Sequence, residues 1–437
     1  MKKKYFFASF ILILLSVNVK STTYTSVNNG NWMNFTTWSP FGIPVPGDIV
    51  VINHAVVMDT ALAYSTGSVT VNVGGSLTND LFGRDIWLNG ASASFTNNGT
   101  TTMRNMLLSS GSFSNSGTFN IKSFANFITL NNSGNFIGVD SLYNNGTINN
   151  NGTINIMTFF NDSIMNNYGT IQGLVTVVDS IWNEGTFLND TGAILKADSA
   201  TNNGAFTNNG TIQYNQFTNY VSGNFTNNSS MSFDDMTNMG TFNNNASMVG
   251  TTSMWNNEIF NNNSSGSILL AVSFLNADSI NNTANFKNDG NFSIGDSFYN
   301  FNSIAGASTG TFSVQDTSYN SGTMTGSFDF CDATPPPSYP YIDWNFGTID
   351  ATVTFCGLTG VKQNNTTSFS IYPNPTQGLV NIGANKQFVE VYNIEGKRII
   401  EDFTNQIDIE KYNSGIYYLV IKDQEGNQLY TEKLIKE

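Results

Sequence analysis

The residue types that perform most protein chemistry are scarce in this chain of 437 residues. It contains one histidine, His54, and two cysteines, and only 11% of its residues are charged, against about 25% in an average soluble domain. A single imidazole excludes histidine-based metal clusters and argues against a Ser-His-Asp or Cys-His active site. The carboxylates are therefore the main candidates for chemistry.

Nine aspartates recur at one position of an internal repeat. The clearest copies of the repeat begin at Asp140, Asp179 and Asp198, and each of these is followed by serine. Glycoside hydrolysis needs two carboxylates that face each other across a sugar, whereas one acidic position per unit indicates a structural role. Alignment of this first position gives Asp85, Arg104, Lys122, Asp140, Asp162, Asp179, Asp198, Asn215, Asp234, Thr252, Asp278, Asp296 and Asp316.

Two interpretations of this acidic position stay open. If the units stack about 4.8 Å apart, neighbouring carboxylates repel each other, and a Ca²⁺ ion can bridge them. Alternatively, each aspartate accepts a hydrogen bond from a following backbone N–H at a turn, with no metal or other cofactor. We favour the second interpretation, since the sequence has no glycine-rich calcium-binding repeat. Arg104 and Lys122 would then compensate charge along the same column.

The charge balance restricts the ligands. The 17 Lys and Arg residues against 31 Asp and Glu give a net charge of -14, so we expect no nucleic-acid partner. An acidic polysaccharide would also be repelled, which argues against a lyase for such a substrate. The basic residues between positions 21 and 360 are Arg84, Arg104, Lys122, Lys196 and Lys287.

Aromatic residues recur at the fourth position of the repeat. If this position points inward, as we slightly prefer, the rings belong to the core. If it points outward, they form a line that can bind a glycan. The residues of this aromatic line are Tyr143, Trp182, Trp255, Tyr299 and Tyr319.

The repeat itself predicts the fold of residues 85–330. About thirteen units of roughly 19 residues, with alternating apolar residues and Asn/Gly corners, predict an all-β parallel β-helix of about 13 or more coils, for which we expect the right-handed sense. Asparagines at the corners should hydrogen-bond to those of the next coil. Inward stacks are expected from Ile148, Ile171, Phe187, Phe206, Phe225, Phe242, Phe260 and Phe286.

The segments beside the repeat have their own signals. Three lysines and an apolar run ending at Leu15 predict a signal peptide at residues 1–21, too short to cross a membrane, and no later stretch predicts a transmembrane helix. Residues 22–84 resemble the N-terminal cap and first coils of secreted bacterial β-helix proteins, so His54 and the tryptophans are expected to pack rather than to react. Residues 361–368 form a polar linker.

Two cysteines, Cys331 and Cys356, bracket a proline-rich segment within residues 331–360. In a secreted chain this arrangement favours a disulfide that closes a C-terminal cap, with two free thiols as the alternative.

Residues 369–437 differ in composition and predict a small β-sandwich of short alternating strands. Their motifs resemble the type A C-terminal sorting domain of the type IX secretion system of Gram-negative bacteria. The resemblance implies export through the periplasm by that machinery, followed by release or by attachment to the outer cell surface, with lipopolysaccharide as an anchor. The motif residues are Tyr372, Pro373, Asn374, Pro375, Gly378, Gly415, Tyr417, Lys433, Leu434 and Lys436.

Several Asp-Ser and Asp-Thr pairs precede an apolar residue. They resemble the acceptor sites of a periplasmic O-glycosylation pathway in the same bacterial group, although the repeat supplies the same pattern for structural reasons. The resemblance implies glycosylation at Thr60, Ser141, Ser163, Ser180, Ser199 and Ser279.

Together these features predict a non-catalytic secreted or cell-surface protein that acts as an adhesin or in a structural role through a glycan or protein ligand. The alternative is a carbohydrate-binding or carbohydrate-active β-helix protein of the lyase or glycoside hydrolase kind.

Overall fold

The computed structural model describes residues 21–173, 178–278, 284–334, 342–356, 369–383, 386–394, 397–422 and 428–437. The chain divides after Cys356 into two compact units. The first is a parallel β-solenoid of about 14 turns, and the second consists of small antiparallel sheets. The predicted all-β fold with a parallel β-helix is therefore confirmed. The predicted linker and residues 1–20 of the predicted signal peptide lie outside the described residues.

Each turn of the solenoid contributes to three strand faces, which we call the first, second and third face in chain order. On the first face, apolar and asparagine side chains alternate inward with polar residues outward, as a half-buried strand requires. Its strands are Thr23–Ser26, Ile49–Ile52, the later halves of Leu62–Val71 and Asp85–Asn97, then Ser112–Asn115, Thr129–Asn132, Thr147–Asn150, Ile164–Asn167, Thr186–Asn189, Ala205–Asn208, Asn224–Asn227, Thr241–Asn244, Ile259–Asn262, Asn285–Asn288, Ser303–Gly306, Thr323–Gly326 and Thr348–Ile349.

The second and third faces often share one long strand that bends at the corner between them. These long strands are Thr100–Leu108, Thr118–Asn126, Asn135–Asn144, Thr153–Asn161, Ile194–Asn202, Thr211–Asn219, Ser230–Asn238 and Ser247–Asn256. Elsewhere the two faces have separate strands, namely Gly30–Asn31, Ala55–Met58, Ser76–Asn79, Thr170–Gln172, Val178–Asn183, Ser267–Leu270, Ser273–Asn276, Asn291–Ile294, Ser297–Asn300, Thr311–Val314, Ser318–Asn320, Asp329–Asp332, Trp344–Asn345 and Thr354–Phe355.

A continuous apolar core fills the interior of the solenoid. On the first face, successive phenylalanines from Phe187 to Phe286 stack with ring centroids 4.5–4.9 Å apart and nearly parallel planes. The spacing equals the distance between hydrogen-bonded strands, so identical residues in neighbouring turns pack by repetition alone. All the residues predicted to stack inward are buried, although Ile171 lies on the second face.

Glycine is required where turns approach most closely. At Gly152, a Cβ atom would lie 2.2 Å from the carbonyl oxygen of Gly134 in the preceding turn. At Gly250, a Cβ would lie 2.6 Å from both Phe233 and Leu270, its neighbours in the same inward column. A side chain at Gly152 would thus meet backbone atoms, whereas a side chain at Gly250 would require the side chains of Phe233 and Leu270 to shift.

Two columns of asparagine run through the interior, one along the first face and one along the third. In both, Nδ2 of each asparagine donates to Oδ1 of the asparagine in the next turn, at 2.7–2.9 Å. The first column is Asn97, Asn115, Asn132, Asn150, Asn167, Asn189, Asn208, Asn227, Asn244, Asn262 and Asn288, and the second is Asn126, Asn144, Asn161, Asn183, Asn202, Asn219, Asn238, Asn256, Asn276, Asn300, Asn320 and Asn345.

These side chains also hold the corners. Asn208 donates to the carbonyl of Ser230 at 3.1 Å and accepts from the backbone N–H of Gly210 at 3.2 Å. Except at Asn345, the last member of the third-face column, the ladder asparagines are almost completely buried. The predicted hydrogen bonds between asparagines of successive coils are therefore confirmed, and they lie inside the solenoid.

The two ends of the solenoid are closed differently. At the N-terminal end, Trp32 and Trp38 are buried edge to face, and the indole of Trp32 donates to the Pro44 carbonyl at 3.1 Å. The strand Trp38–Ser39 pairs antiparallel with the first strand, next to a 3-10 turn at Phe35–Thr37. At the other end, a disulfide joins Cys331, in the second-face strand Asp329–Asp332, to Cys356, which directly follows the neighbouring strand Thr354–Phe355.

The C-terminal unit contains two antiparallel sheets around a separate core. One sheet is formed by Ile371–Tyr372, Leu379–Ile382 and Gln406–Asp408, and the other by Gln387–Asn393, Arg398–Thr404, Gly415–Lys422 and Gln428–Lys436. Val389 and Val391 point into the core, so Glu390 between them points to the opposite side of its sheet.

Glu390 is the centre of a charged network on that side. Its carboxylate lies 2.6 Å from Nη1 of Arg398 and 2.7 Å from Nζ of Lys422, and the Tyr392 hydroxyl donates to it at 2.7 Å. The hydrogen bond from Lys422, followed by those from Tyr392 and Arg398, outweighs the opposing effect of burial and lowers the pKa of Glu390 to about 2.

The first prediction concerns the asparagine columns. Replacing Asn208 with alanine removes its bonds to Asn189 and Asn227, so that the buried Nδ2 of Asn189 loses an acceptor and the buried Oδ1 of Asn227 loses a donor. We expect the free energy of unfolding to fall by about 2–4 kcal/mol, measured by urea denaturation. Thr207→Ala, on the same strand but facing outward, should change it by less than about 1 kcal/mol. Equal effects of the two substitutions would contradict a stabilising role of the column.

The second prediction concerns Glu390. Because its pKa in the folded state lies below the ordinary value of 4.5, the ionised network stabilises the unit above about pH 4.5, and this contribution disappears as the pH falls toward 2. Glu390→Gln should therefore speed amide exchange in Gln387–Asn393 at neutral pH, and the difference from the unsubstituted protein should shrink toward pH 2. Hydrogen exchange with mass spectrometry, compared at each pH, measures this difference.

Glu401→Gln is the matched control, because Glu401 contacts the same arginine but is 62% exposed. It should leave exchange in that strand nearly unchanged. A difference between Glu390→Gln and the unsubstituted protein that is the same at every pH would rule out the carboxylate as its source.

Candidate functional site

The predicted aromatic line lies on the outward side of the third face. In each turn the ring residue stands between two inward residues, as Tyr143 stands between Leu142 and Asn144. Trp182 and Trp255 are 42% and 43% exposed, and Tyr143, Tyr299 and Tyr319 are half-buried. Our preference for an inward, core position was wrong, because the asparagine column occupies the inward side and strand alternation turns its neighbours outward.

The strand register aligns these residues in one axial column with others that the sequence did not reveal. Tyr143 pairs with Phe160, and Phe160 with Trp182. Further along, Tyr299 pairs with Tyr319, and Tyr319 with Trp344. The signal was available: every aromatic residue of the column from Tyr143 to Trp344 immediately precedes an asparagine of the third-face column. We call this outward column the aromatic stripe: Trp87, Tyr143, Phe160, Trp182, Trp255, Tyr299, Tyr319 and Trp344.

Hydrogen bonds to the neighbouring corner orient the rings of the stripe. The Tyr143 hydroxyl donates to Asp162 at 2.6 Å, which raises the pKa of Tyr143 to about 12. The indole N–H groups of Trp182 and Trp255 donate to the Glu184 carboxylate at 3.3 Å and to the Ala277 carbonyl at 3.0 Å. These polar atoms are held by the protein, while the ring faces remain partly open to solvent.

Further exposed aromatic residues lie at the corner beside the stripe. Phe127 packs against Tyr143, with ring centroids 5.9 Å apart, and Tyr220 stacks on Trp182 at 6.3 Å. Near the C-terminal end of the solenoid, Phe301 and Phe346 both contact the ring of Tyr319. The stripe therefore contains two aromatic groups. The first consists of Tyr143, Phe160 and Trp182, and the second of Trp255, Tyr299, Tyr319 and Trp344.

Between the two aromatic groups, the stripe position is threonine in three successive turns, at Thr201, Thr218 and Thr237. Polar side chains thus separate the rings of the first group from Trp255.

The acidic position of the repeat is only partly a column. Asp85 pairs with Asn105 instead of Arg104, although Arg104 still reaches Asp85 at 3.4 Å. Thr158 pairs with Ser180, so Asp162 lies beyond the third-face column at the next corner, and the same holds for Asp278 after Asn276. Alignment by Asp-Ser pairs failed there because turn lengths differ between units.

Two of these carboxylates are engaged in hydrogen bonds within the protein. Asp198 accepts a hydrogen bond from Asn215, and Asp234 accepts one from the Thr251 hydroxyl. Within the described ranges, the one group of three candidate metal ligands is Asp329 with Cys331 and Cys356, whose sulfurs are joined in the disulfide. The interpretation with calcium and the favoured interpretation without a metal therefore both stay open.

The residues predicted to carry glycans occupy different environments. Ser141, Ser180 and Ser199 face outward from third-face strands, where each has a strand on either side. Ser163 lies at a corner, Thr60 is half-buried near the N-terminal end, and Ser279 lies outside the described residues. Glycosylation of all of them stays a prediction.

In the C-terminal unit, the first motif residues fasten the beginning of the domain to its last strand. Asn374 Nδ2 donates to the Lys433 carbonyl at 2.7 Å, and its Oδ1 accepts from the Ile435 N–H at 2.9 Å. The N–H of Thr376 donates to the carbonyl of Ile435 at 2.8 Å. Both ends of the motif thus meet, although they are about sixty residues apart in the sequence.

The other motif residues serve the same fold. Leu434 lies in the core, and the buried Tyr417 donates from its hydroxyl to the Asn413 carbonyl at 2.6 Å. A Cβ atom on Gly378 would lie 2.9 Å from the Glu410 backbone. Tyr372, Pro373, Pro375, Lys433 and Gly415 are exposed, and Lys436 is half-buried.

Comparison with known proteins gives one match. No curated protein and no solved structure is significantly similar to the chain. Within the described residues, no helix is long and apolar enough to cross a membrane. Residues 370–437 match the family described as Secretion system C-terminal sorting domain. This domain implies the type IX secretion machinery as a partner and directs the chain to the cell surface or out of the cell.

Proposed function

We propose that residues 22–360, the part of the chain carried by the sorting domain and here called the passenger, form a non-catalytic binding protein. Its third face would bind an extracellular ligand, as an adhesin or a matrix component does. The observation that carries this proposal is the aromatic stripe. Partly exposed rings aligned along one face, with the polar atoms of Tyr143, Trp182 and Trp255 held by the protein, lie outside the core and suit contact with a partner.

The rest of the solenoid supports a scaffold role. Each turn contacts its neighbours through continuous ladders, so the outward columns keep a fixed spacing along the axis. A stiff support of this kind reduces the entropy lost when an extended ligand binds to several turns at once.

Carbohydrate turnover is the alternative. The most suitable carboxylates are Asp162 and Glu184, which lie at the same corner in neighbouring turns beside Tyr143 and Trp182. Both are exposed and already bonded to the polar atoms of those rings. Hydrolysis requires two carboxylates on opposite sides of a sugar, and a shared corner does not offer that arrangement. We therefore favour binding without turnover.

The prediction for export uses Asn374. Its substitution by alanine removes both hydrogen bonds between the start of the sorting domain and its last strand. We expect a severalfold smaller fraction of the protein on the cell surface or in the medium, with accumulation in the periplasm. Immunoblots of cell fractions measure this distribution.

Asn405→Ala is the control for this measurement, since Asn405 is an exposed asparagine of the same domain. It should be exported normally. Normal export of the Asn374→Ala protein would contradict a role for this contact in recognition by the secretion machinery.

The prediction for the passenger compares cells that export the unsubstituted protein with cells that export a Trp182→Ala, Trp255→Ala variant. Adhesion of the variant cells to a coated polysaccharide or matrix surface should fall, because the stripe loses two exposed rings. Incubation of the purified protein with polysaccharides should release no oligosaccharide. If oligosaccharide is released by the unsubstituted protein but not by the Asp162→Asn variant, the enzymatic alternative holds instead.

A further inference from the structure

We infer that the aromatic stripe binds a neutral, unbranched polysaccharide that lies parallel to the solenoid axis. This inference rests on the proposed function and names the class of ligand. Sugar rings present C–H groups on their faces and hydroxyls at their edges, so they stack on aromatic rings and donate hydrogen bonds to nearby oxygen atoms.

The spacing of the stripe suits a polymer. Successive turns rise by about 4.8 Å, which is close to the length of one hexose unit in an extended chain. From Tyr143 to Trp344 the column passes through the register pairs of consecutive turns and extends over about 50 Å at that rise. A linear chain can therefore contact both aromatic groups at once.

The composition of the stripe favours a glycan over a folded protein. The hot spots of protein interfaces cluster in one desolvated patch, surrounded by residues that exclude water. Here the rings form a line, which is interrupted by Thr201, Thr218 and Thr237, and once by Leu275, and is bordered by Asp162 and Glu184. Hydroxyl and carboxylate groups between aromatic rings match a ligand that carries polar edges along its whole length.

The anchoring of the rings lowers the cost of binding. Trp182 and Trp255 are held by hydrogen bonds from their indole nitrogens, so little side-chain freedom remains to be lost. The ring of Trp182 is further supported by Tyr220, whose plane is inclined by 22° to it.

Charge restricts the glycan to a neutral one. Residues 21–360 contain 5 basic and 21 acidic residues, a net charge of -16. Asp162 and Glu184 add negative charge directly beside the first aromatic group, so uronic acids or sulfated sugars would be repelled. The hydroxyls of a neutral sugar can instead donate to these carboxylates.

The test uses the full-length secreted protein in affinity electrophoresis with soluble β-glucan and linear β-mannan, and with polygalacturonate as the anionic comparator. We expect retardation by at least one neutral polymer and none by polygalacturonate. Trp182→Ala and Trp255→Ala should each weaken binding about three- to tenfold. Tyr168→Ala is the matched control, because Tyr168 is 43% exposed but lies at another corner of the solenoid.

Chain length sharpens the test. The register places Trp182 and Trp255 four turns apart, about 19 Å at the coil rise. For a long oligosaccharide of the bound polymer, the losses of affinity caused by the two substitutions should therefore multiply in the double variant. An oligosaccharide too short to reach both rings should bind at one ring only, so that the two losses do not multiply. Equal behaviour of short and long oligosaccharides would overturn the axial arrangement.

The outcomes separate this inference from the proposed function. If neither neutral polymer retards the protein, or if Tyr168→Ala weakens binding as much as Trp182→Ala, the inference fails. Tryptophan-dependent adhesion of cells to a protein surface would then still support the proposed function. If the protein cleaves the polymer that it binds, the non-catalytic function fails, while loss of binding in the tryptophan variants continues to support the stripe as the glycan site.

Discussion

The structure depends on one constraint, the close stacking of successive turns in register. A side chain that points inward contacts the side chains at the same position in the turns on either side. It must therefore pack against residues of its own type and, if it is polar, form hydrogen bonds with them. Phenylalanine meets this condition by parallel stacking and asparagine by donating and accepting through one amide group. Glycine meets it at the corners, where Gly152 lies against the Gly134 carbonyl. These residue types account for much of the repeat.

The same constraint explains how far the sequence could predict the fold. The repeat length, the apolar alternation and the frequency of asparagine were enough to predict a parallel β-helix and contacts between asparagines, since each follows from local periodicity. The exact register was harder. Asp162 was aligned with Asp179, although the structure aligns Thr158 with Ser180, because the same Asp-Ser motif stands five residues later in its turn, after the third-face strand.

The candidate site was predicted in part for a related reason. The fourth position of the repeat identified Tyr143, Trp182 and Trp255. Whether their side chains point inward or outward depends on whether the residue next to each of them in the strand is buried. Because neighbours in a strand point to opposite sides, the ring faces inward only if the asparagine beside it faces outward, where a polar side chain is ordinarily found. Burial of Asn144 and Asn183 in the ladder turns the rings outward instead. Phe160 and Trp344 were missed because neither stands at the fourth position of an aligned unit, while the asparagine that follows each of them identifies the column.

Self-complementarity also accounts for the low content of charge. A carboxylate repeated at an inward position would face its own copy about 4.8 Å away in a medium that screens poorly, whereas an amide in the same place forms a hydrogen bond. Charged residues are therefore restricted to outward positions and corners, where water screens their charge. Neighbouring polar groups can also donate hydrogen bonds to them there, as Asn215 does to Asp198. The interior thus selects neutral residues, and the corner carboxylates Asp162 and Glu184 remain on the outside, where they orient the rings of the stripe.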